Sequence, residues 1–474
     1  SISGKHESLD KAEIERLQRP YGGIVCLGTS GQLQVRRRGP MKRAGQWTHQ
    51  NCDAANTICS PDKVARGPLE MAWYRDGVIE IADRHAQAPA PLCNRGYLVV
   101  EGVDGICAVD AYNGHTLWTY PIPGILADWD GVHHDVGVGD TGSNFCLSDD
   151  AAFVRIDERC LKIELATGTK IHEFKTPVNT SARNCNWGYI ACADGLLFGT
   201  VLNDKHTISP RYEGIRLRNE SVLFFAMDAD TGRLKWKYQP QHSIRNNTIA
   251  IAGGRVYLID RPIAFADRIT DPKPNGKHRP LLKPGEHPGG TLIAMDARNG
   301  SVLWKNDNDV FGTQVAVSEK HNTLLMYYQA VKHNFFKLPS EIGGRMAAFD
   351  VKTGTRLWDK KVKPKTRPLI NEDVIYAEGG AWKLKTGEPV PWNFKRSYGC
   401  GQIAGSTNML VFRSATLGYL DLRRNVGTEN FGGIRPNCWF NAIVAGGLVL
   451  VPDGSSKCAC SYQMRSWVAL QQKQ

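Results

Sequence analysis

The sequence of 474 residues lacks any run of eighteen apolar residues, so no segment predicts a transmembrane helix. It also lacks a Cys-x-x-Cys pair, which excludes a zinc ribbon, a thioredoxin-type motif and a covalently attached haem. The longest basic run, Arg36-Arg37-Arg38, has none of the alternating basic and aromatic residues of a nucleic-acid groove. We therefore expect no membrane span and no nucleic-acid partner.

Positive charge is in excess. Fifty-nine lysines and arginines against 47 acidic residues give a net charge of +12. A basic protein attracts anions such as acidic polysaccharides or an anionic membrane surface, although the charge can also serve solubility alone. The charge thus favours an anionic small molecule or glycan as the partner without identifying it.

The 13 cysteines are many for a protein of a reducing compartment. They predict several disulfides and a periplasmic or secreted location, and their odd number leaves at least one free thiol or metal ligand. For the four near the end of the chain, two disulfides and a soft-metal site are both open alternatives. The disulfide candidates are Cys52, Cys59, Cys400, Cys438, Cys458 and Cys460.

One pattern recurs along the chain. It consists of Ala, Asp two residues later, Thr-Gly or Asn-Gly at the fifth and sixth following positions, and Trp at the tenth. Lys162–His172 is a degenerate copy in which His replaces Trp, and a looser copy ends at Trp392. The four clear copies are Ala108–Trp118, Ala226–Trp236, Ala294–Trp304 and Ala348–Trp358.

Each copy predicts two strands joined by a tight turn, because Gly supplies a positive φ and the Asp side chain can bond its own backbone. A separate strand–turn–strand signal precedes each copy, so the unit has four strands, which is a propeller blade. The prediction is an all-β, eight-bladed β-propeller of four-stranded antiparallel blades. The innermost strands are expected to begin near Pro91, Asn144, Trp187, Asn246, Thr313, Pro368, Gln402 and Asn441.

The Ala-x-Asp-x-x-Thr-Gly-x-x-x-Trp unit resembles the PQQ-like repeat of quinoprotein alcohol dehydrogenases. It also resembles the repeat of their cofactor-free relatives, such as outer-membrane assembly propellers. The resemblance covers roughly Trp47 to Leu470. Ile434–Gln463 is in addition similar to large uncharacterised PQQ-repeat proteins of planctomycete-type bacteria, which implies no activity. Family members that bind the quinone use a vicinal Cys-Cys pair, which this sequence lacks, so PQQ is not the expected cofactor.

Residues 1–40 do not fit the repeat, which divides the chain into an extension, 1–40, and a propeller, 41–474. Leu9–Gln18 predicts a short helix and Gly22–Leu27 an apolar strand, so the extension is a short α/β element. It resembles the closing helix and strand of a Rossmann-like methyltransferase domain, and a simple N-terminal arm would look the same. We slightly favour a longer polypeptide with an additional N-terminal domain.

The loops that lead into the innermost strands of a propeller converge on the axis at one face, where ligands bind. Arg84, Arg245, Arg367 and Arg435 would form a cationic funnel there, suited to a carboxylate or sulfate group. Alternatively, such an arginine pairs with a local acid. The candidate substrate-binding residues are Asn144, Trp187, Asn246, Gln314, Arg367, Arg435 and Asn441.

A histidine beside an arginine occurs twice in these loops. His85 or His242 could act as a general base, with Arg84 or Arg245 neutralising the carboxylate of a uronate. This predicts an enzyme that cleaves an anionic saccharide by lyase-type elimination. A quinone- or metal-dependent oxidoreductase and a non-catalytic binding or scaffold propeller are the alternatives, because fold alone does not decide function.

A metal site is the weaker alternative in the same region. His133 and His134 could hold a transition metal, but adjacent side chains on a loop can point apart. Calcium or a transition metal therefore stays open as a cofactor.

Overall fold

The chain is almost entirely β-structure in the computed structural model. No helix among the described residues is long and apolar enough to cross a membrane. The model describes residues 10–29, 31–82, 88–127, 142, 144–178, 185–203, 219–262, 269–272, 278–280, 282, 286–328, 339–399, 401–436, 439–440, 442–453 and 465–473.

The N-terminal extension is a helix followed by a hairpin. Asp10 caps the helix by accepting a hydrogen bond from the Ala12 amide at 3.2 Å. Arg19 forms an ion pair with Asp110 and so ties the extension to the first clear copy of the repeat. The elements are α1 (Lys11–Leu17), β1 (Ile24–Leu27) and β2 (Gln34–Arg37).

Two short segments come before the first complete sheet unit. They are β3 (Cys59–Ser60) and β4 (Leu69–Asp76). Unit 1 then consists of β5 (Leu92–Asn94), β6 (Tyr97–Gly102), β7 (Gly105–Asp110) and β8 (Thr116–Pro121). Unit 2 consists of β9 (Phe145–Leu147), β10 (Ala151–Ile156), β11 (Arg159–Glu164) and β12 (Lys170–Lys175). In both units the neighbouring strands are antiparallel.

Units 3 and 4 form one nine-stranded sheet because a short strand, β17 (Ile244–Arg245), pairs with both of them. Unit 3 consists of β13 (Trp187–Ala193), β14 (Leu196–Leu202), β15 (Glu220–Asp228) and β16 (Leu234–Tyr238). Unit 4 consists of β18 (Ala250–Ala252), β19 (Arg255–Asp260), β22 (Gly290–Asp296) and β23 (Val302–Val310). A separate pair, β20 (Ile269–Pro272) and β21 (His278–Pro280), lies between β19 and β22 in the chain.

The remaining units follow in chain order. Unit 5 consists of β24 (Gln314–Ser318), β25 (Thr323–Tyr327), β26 (Arg345–Asp350) and β27 (Arg356–Lys361), and unit 6 of β28 (Leu369–Asn371), β29 (Val374–Ala377) and β30 (Gly380–Lys383). Unit 7 consists of β31 (Ala404–Ser406), β32 (Met409–Ser414), β33 (Thr416–Asp421) and β34 (Thr428–Phe431). Unit 8 consists of β35 (Ile443–Ala445), β36 (Leu448–Pro452), β37 (Ser466–Gln472) and β4. Thus β4, from the start of the propeller, completes its last sheet.

Tryptophans of the outer strands join consecutive units. The indole of each donates a hydrogen bond to a main-chain carbonyl in the next unit and lies against the glycine of the next turn. Trp304, for example, donates to the Val351 carbonyl at 3.0 Å, and a Cβ added to Gly354 would lie 2.5 Å from its ring. Trp73, Trp118, Trp236 and Trp358 make the same bond to Ala111, Leu165, Ala297 and Leu384. The repeated Gly and Trp therefore pack unit against unit.

Residues 45–62, which we call the axial segment, run across the ends of the innermost strands. Trp47 pairs with Cys93 on β5, and β3 pairs in parallel with β31. Trp47 and Ile58 are completely buried. The segment has no counterpart in the predicted repeat, and it places polar side chains close to the propeller axis.

Candidate functional site

We use the word channel for the space around the propeller axis that the innermost strands surround. Its end at which these strands begin is the upper mouth, and its end at their following turns is the lower mouth. These strands begin within four residues of the predicted positions. Eight of the predicted catalytic and substrate-binding residues are described, and they lie at the upper mouth or close to it. Arg84, His85, His133, His134, Asn441, Cys400, Cys438, Cys458 and Cys460 lie outside the described residues.

Arg245, a predicted anion clamp, is 0% exposed and held by two carboxylates. Its guanidinium donates to Glu341 at 2.7 Å and lies 3.2 Å from Glu220, and both glutamates are buried. It also donates to the Ser340 hydroxyl at 3.2 Å. A buried cation is energetically costly unless groups of opposite charge lie next to it, which accounts for the pairing of Arg245 with the two glutamates. The charge predicted to bind a substrate is therefore neutralised within the protein.

The buried side chain of Arg367 contacts the axial segment. Its Nη1 donates to Asn51 Oδ1 at 2.9 Å, and its guanidinium carbon lies 5.3 Å from the centre of the Trp439 ring. Asn51 in turn donates to Asn56 Oδ1 at 3.1 Å. A chain of hydrogen bonds thus connects the predicted funnel with the axial segment.

A third buried group connects units 1, 2 and 3. Arg155 donates to Asn144 Oδ1 at 2.7 Å and to the Trp187 carbonyl at 3.2 Å. Burial raises the pKa of the neighbouring Glu101 to about 8, although Arg155 and Asn144 favour its charged form. The predicted Asn144 therefore belongs to a buried polar cluster.

Four further predicted residues are buried. Trp187 is packed edge-on against Phe225, with ring centres 5.0 Å apart, so its ring is part of the core. Asn246 Oδ1 accepts a hydrogen bond from Ser221 at 2.7 Å. Gln314 and Arg435 are also buried. These side chains support the upper mouth from below its surface.

His242 differs from the other described candidates because it is exposed. Its main-chain N–H donates to Asp260 Oδ1 at 2.9 Å, which fixes the turn that carries the side chain. Among the described candidates, His242 is the residue best placed to meet a ligand from solvent.

The cysteines correct the disulfide expectation for the described part of the chain. Cys52 and Cys59 are free thiols, as are Cys93, Cys107, Cys146, Cys160 and Cys192. Burial raises the pKa of the Cys93 thiol to about 12, and it also raises the pKa of Cys52, where the charge of Asp53 adds to the effect. The structure therefore uses these residues as small apolar side chains of the core.

Sequence reasoning missed the carboxylates that bind Arg245. Glu220 is 25 residues away in the chain and Glu341 is 96 residues away. The sequence could indicate only that an acidic partner exists, since an arginine at a buried position requires one. No spacing in the sequence identifies which acid it is.

The lower mouth carries an open depression of about 1020 Å³. Asp53, Thr57 and Cys59 of the axial segment line it together with turn residues such as Glu319 and Glu372. Burial raises the pKa of Asp53 to about 6, although its hydrogen bonds with Thr57 favour the charged form. In the described part of the chain, no three His, Cys, Asp or Glu side chains are grouped so that they could share a metal ion.

Comparison with known proteins agrees with this architecture. Residues 215–428, a little under half of the chain, match the family described as outer membrane protein assembly factor BamB. Quinohemoprotein alcohol dehydrogenase from Comamonas testosteroni has a similar fold, with a TM-score of 0.52 and 12% identity over 90% of this chain and 80% of that one. BamB from Moraxella catarrhalis gives a TM-score of 0.48 and 12% identity over 86% and 98%. No curated protein matches the sequence.

At such low identity the alcohol dehydrogenase structure indicates fold and not activity. The family match covers the copies of the repeat in units 3 to 5, where Trp236, Trp304 and Trp358 join each unit to the next. The chain is therefore a β-propeller of the PQQ-like repeat type.

Proposed function

We propose that the protein is a binding or scaffold propeller that engages a macromolecular partner at its upper mouth. The observation that carries this proposal is the pairing of Arg245 with Glu220 and Glu341 at essentially zero exposure. A clamp for a substrate anion needs a guanidinium with unused charge, and the charge of this one is already engaged by two carboxylates. The match to an assembly-factor family supports the same class of function.

The partner expected on this basis is another protein. Propellers present many loops on a rigid scaffold at this face, and such loops commonly carry binding residues. A photo-crosslinking residue at position 242, on the upper face, should capture one partner in extracts of the native organism. Excess unlabelled protein should abolish the product, and the same group at Thr167, on a turn at the lower end, should give none. Equal capture from both positions would contradict the proposal.

Elimination on an anionic saccharide is the second candidate. The exposed His242 and the net charge of +12 favour it, and His85 and Arg84 remain its proposed partners in catalysis. A screen of acidic polysaccharides, followed by the ultraviolet absorbance of an unsaturated uronate product, tests it directly. Turnover by the wild type that is lost in H242A would replace the scaffold proposal with this one.

Quinone or metal chemistry is not favoured by the described residues. Glu220 and Glu341 are already bound by Arg245, and no group of three potential metal ligands is present in that part of the chain. Elemental analysis and an absorption spectrum of the purified protein would reveal a metal or quinone bound by other residues.

We also propose an exported location. The support is the family description, which refers to an outer membrane protein assembly factor. The number of cysteines gives this location little further support, because the described cysteines named above are free thiols and not disulfides. Fractionation of cells that produce the tagged full-length protein tests this, and recovery in the cytoplasmic fraction would contradict it.

A further inference from the structure

The axial segment makes a polar contact with the innermost strand, or the turn after it, in each of the eight sheet units defined above among the described residues. Its carbonyls and the His49 ring accept hydrogen bonds from main-chain amides as the segment passes around the axis. The donors, from unit 1 to unit 8, are the amides of Cys93, Leu147, Cys192, Ile251, Val317, Ile370, Gly405 and Gly446, at 2.7 to 3.2 Å. The acceptors belong to Trp47, Thr48, His49, Ala54, Ala55, Thr57, Ile58 and Gly45.

These bonds satisfy strand edges that would otherwise face the channel. The innermost strand of a blade has a neighbour on one side only, so its other edge presents unpaired N–H and C=O groups. The axial segment supplies partners for those groups near the lower mouth. Its Trp47 and Ile58 side chains, completely buried, fill the space between the strand ends.

Asn56 is the centre of the arrangement. Its side-chain amide donates to the Ile249 carbonyl of unit 4 at 2.7 Å and to the Val315 carbonyl of unit 5 at 3.1 Å. The backbone of Cys52, Asn56 and Ile58 has positive φ values of 80°, 62° and 56°. For a β-branched residue such as Ile58 this conformation is unfavourable and persists only where the surroundings impose it. The units that surround the axial segment therefore determine the path of its backbone.

Units of a repeat protein normally contact only their neighbours, so stability spreads from one unit to the next. A segment that contacts all eight units also connects units that are not neighbours in the ring. We propose that the axial segment is a strap that closes the lower mouth and couples the eight units into one cooperative structure. Any ligand of the channel would then have to enter at the upper mouth.

Hydrogen exchange of the full-length protein tests the coupling. N56G removes the bridging amide, while glycine tolerates the positive φ at this position. We expect at least tenfold faster exchange in the innermost strands of all units, including units 1 and 8, which Asn56 does not touch. N371A is the matched control, because Asn371 is equally buried and donates to the Ser406 and Thr407 carbonyls at 3.1 and 3.3 Å. Its effect should stay within units 6 and 7.

Thiol alkylation followed by peptide mapping tests the closure. Cys52 and Cys59 are buried in the strap, and Cys107 is buried within unit 1. In N56G we expect alkylation of Cys52 and Cys59 to accelerate at least tenfold while that of Cys107 changes less than twofold. If N56G does not fold, hydrogen exchange in the wild type tests the proposal instead. If the units are coupled, the most slowly exchanging amides of all units must share one common rate. Exchange confined to units 4 and 5 in N56G, or unrelated rates in the wild type, would overturn the proposal.

Discussion

At the scale of single residues, a glycine in the turn determines whether a tryptophan can pack there wherever the preceding unit supplies one. Gly300 has a φ of +74°, and an added Cβ would lie 2.7 Å from the Trp236 ring. G300A should lower the free energy of unfolding by about 2–4 kcal/mol, because the left-handed backbone and the steric clash both cost energy. Denaturant unfolding measures the loss.

Gly195 provides the control for that substitution. Its φ is also +74°, but an added Cβ would have no atom within 4 Å. G195A should therefore cost only about 1–2 kcal/mol, which is the conformational part of the effect. Equal losses in the two variants would show that contact with the tryptophan does not restrict the site.

His49 makes stability depend on pH. Burial lowers its pKa from 6.5 to about 4, and its Nε2 accepts a hydrogen bond from the Cys192 amide, so the folded state favours the neutral ring. This stabilisation is present above pH 6.5 and is lost as the pH falls through 4. The loss is on the order of 3 kcal/mol.

H49Q should remove this dependence. The wild type should lose stability relative to the variant as the pH falls from 6.5 to 4. Unfolding measured at several pH values reports the difference. H115Q, at an exposed histidine of unit 1, should leave the slope unchanged. Parallel curves for the wild type and H49Q would contradict the assignment.

The residues of the repeat were predictable and the partners of the arginines were not. The Gly and Trp positions follow from a pattern within eleven residues, so local chemistry indicates them. Pairing of Arg245 with Glu341 depends on how units 3, 4 and 5 are brought together. That information lies in the tertiary structure and not in any spacing of the sequence.

At the scale of elements, Arg245 connects three parts of the chain that are otherwise separate. It lies on β17, contacts Glu220 at the start of β15, and reaches Glu341 in the short 3-10 helix Pro339–Glu341. R245A should destabilise the protein by about 3–5 kcal/mol, since it leaves two buried carboxylates without their cation. H242A, at an exposed position nearby, should change stability by less than about 0.5 kcal/mol.

Thermal unfolding of both variants at several pH values gives the measurement. Part of the loss in R245A should be recovered at low pH, where the abandoned carboxylates can accept protons. If R245A were as stable as the wild type, that result would instead support the predicted role of Arg245 as a clamp for a ligand.

Strands were easier to predict from sequence than the segment that joins them. The innermost strands start within four residues of their predicted positions because apolar runs and Gly-bearing turns define them. Residues 45–62 have no such periodicity. Their structure comes from contacts with strand edges up to about 400 residues away, such as Gly446 bonded to Gly45.

At the scale of the whole molecule, the net charge of +12 should govern weak binding of acidic polymers. Affinity for a sulfated polysaccharide should fall at least tenfold between low and physiological salt, because screening weakens interactions between exposed charges. R435A should bind as the wild type does, since Arg435 is buried. Fluorescence anisotropy measures both effects, and a salt-independent affinity lost in R435A would favour a specific anion site.

The fold was predictable because one local unit is repeated along most of the chain. The number of blades remains a prediction, since it depends on how the nine-stranded sheet is divided. Function was not predictable in the same way. The residues that distinguish a catalytic funnel from a scaffold are single side chains, and their charge balance becomes visible only when distant strands meet.

The pairing of β4 with β37 also determines how the molecule responds to mechanical force. Leu69, at the beginning of β4, lies opposite Gln472, at the end of β37. Tension applied to these two ends therefore loads the hydrogen bonds between the strands one after another and not all at once. A small force would therefore separate β4 from β37 and open the ring of units, while the strands within the other sheets stay paired.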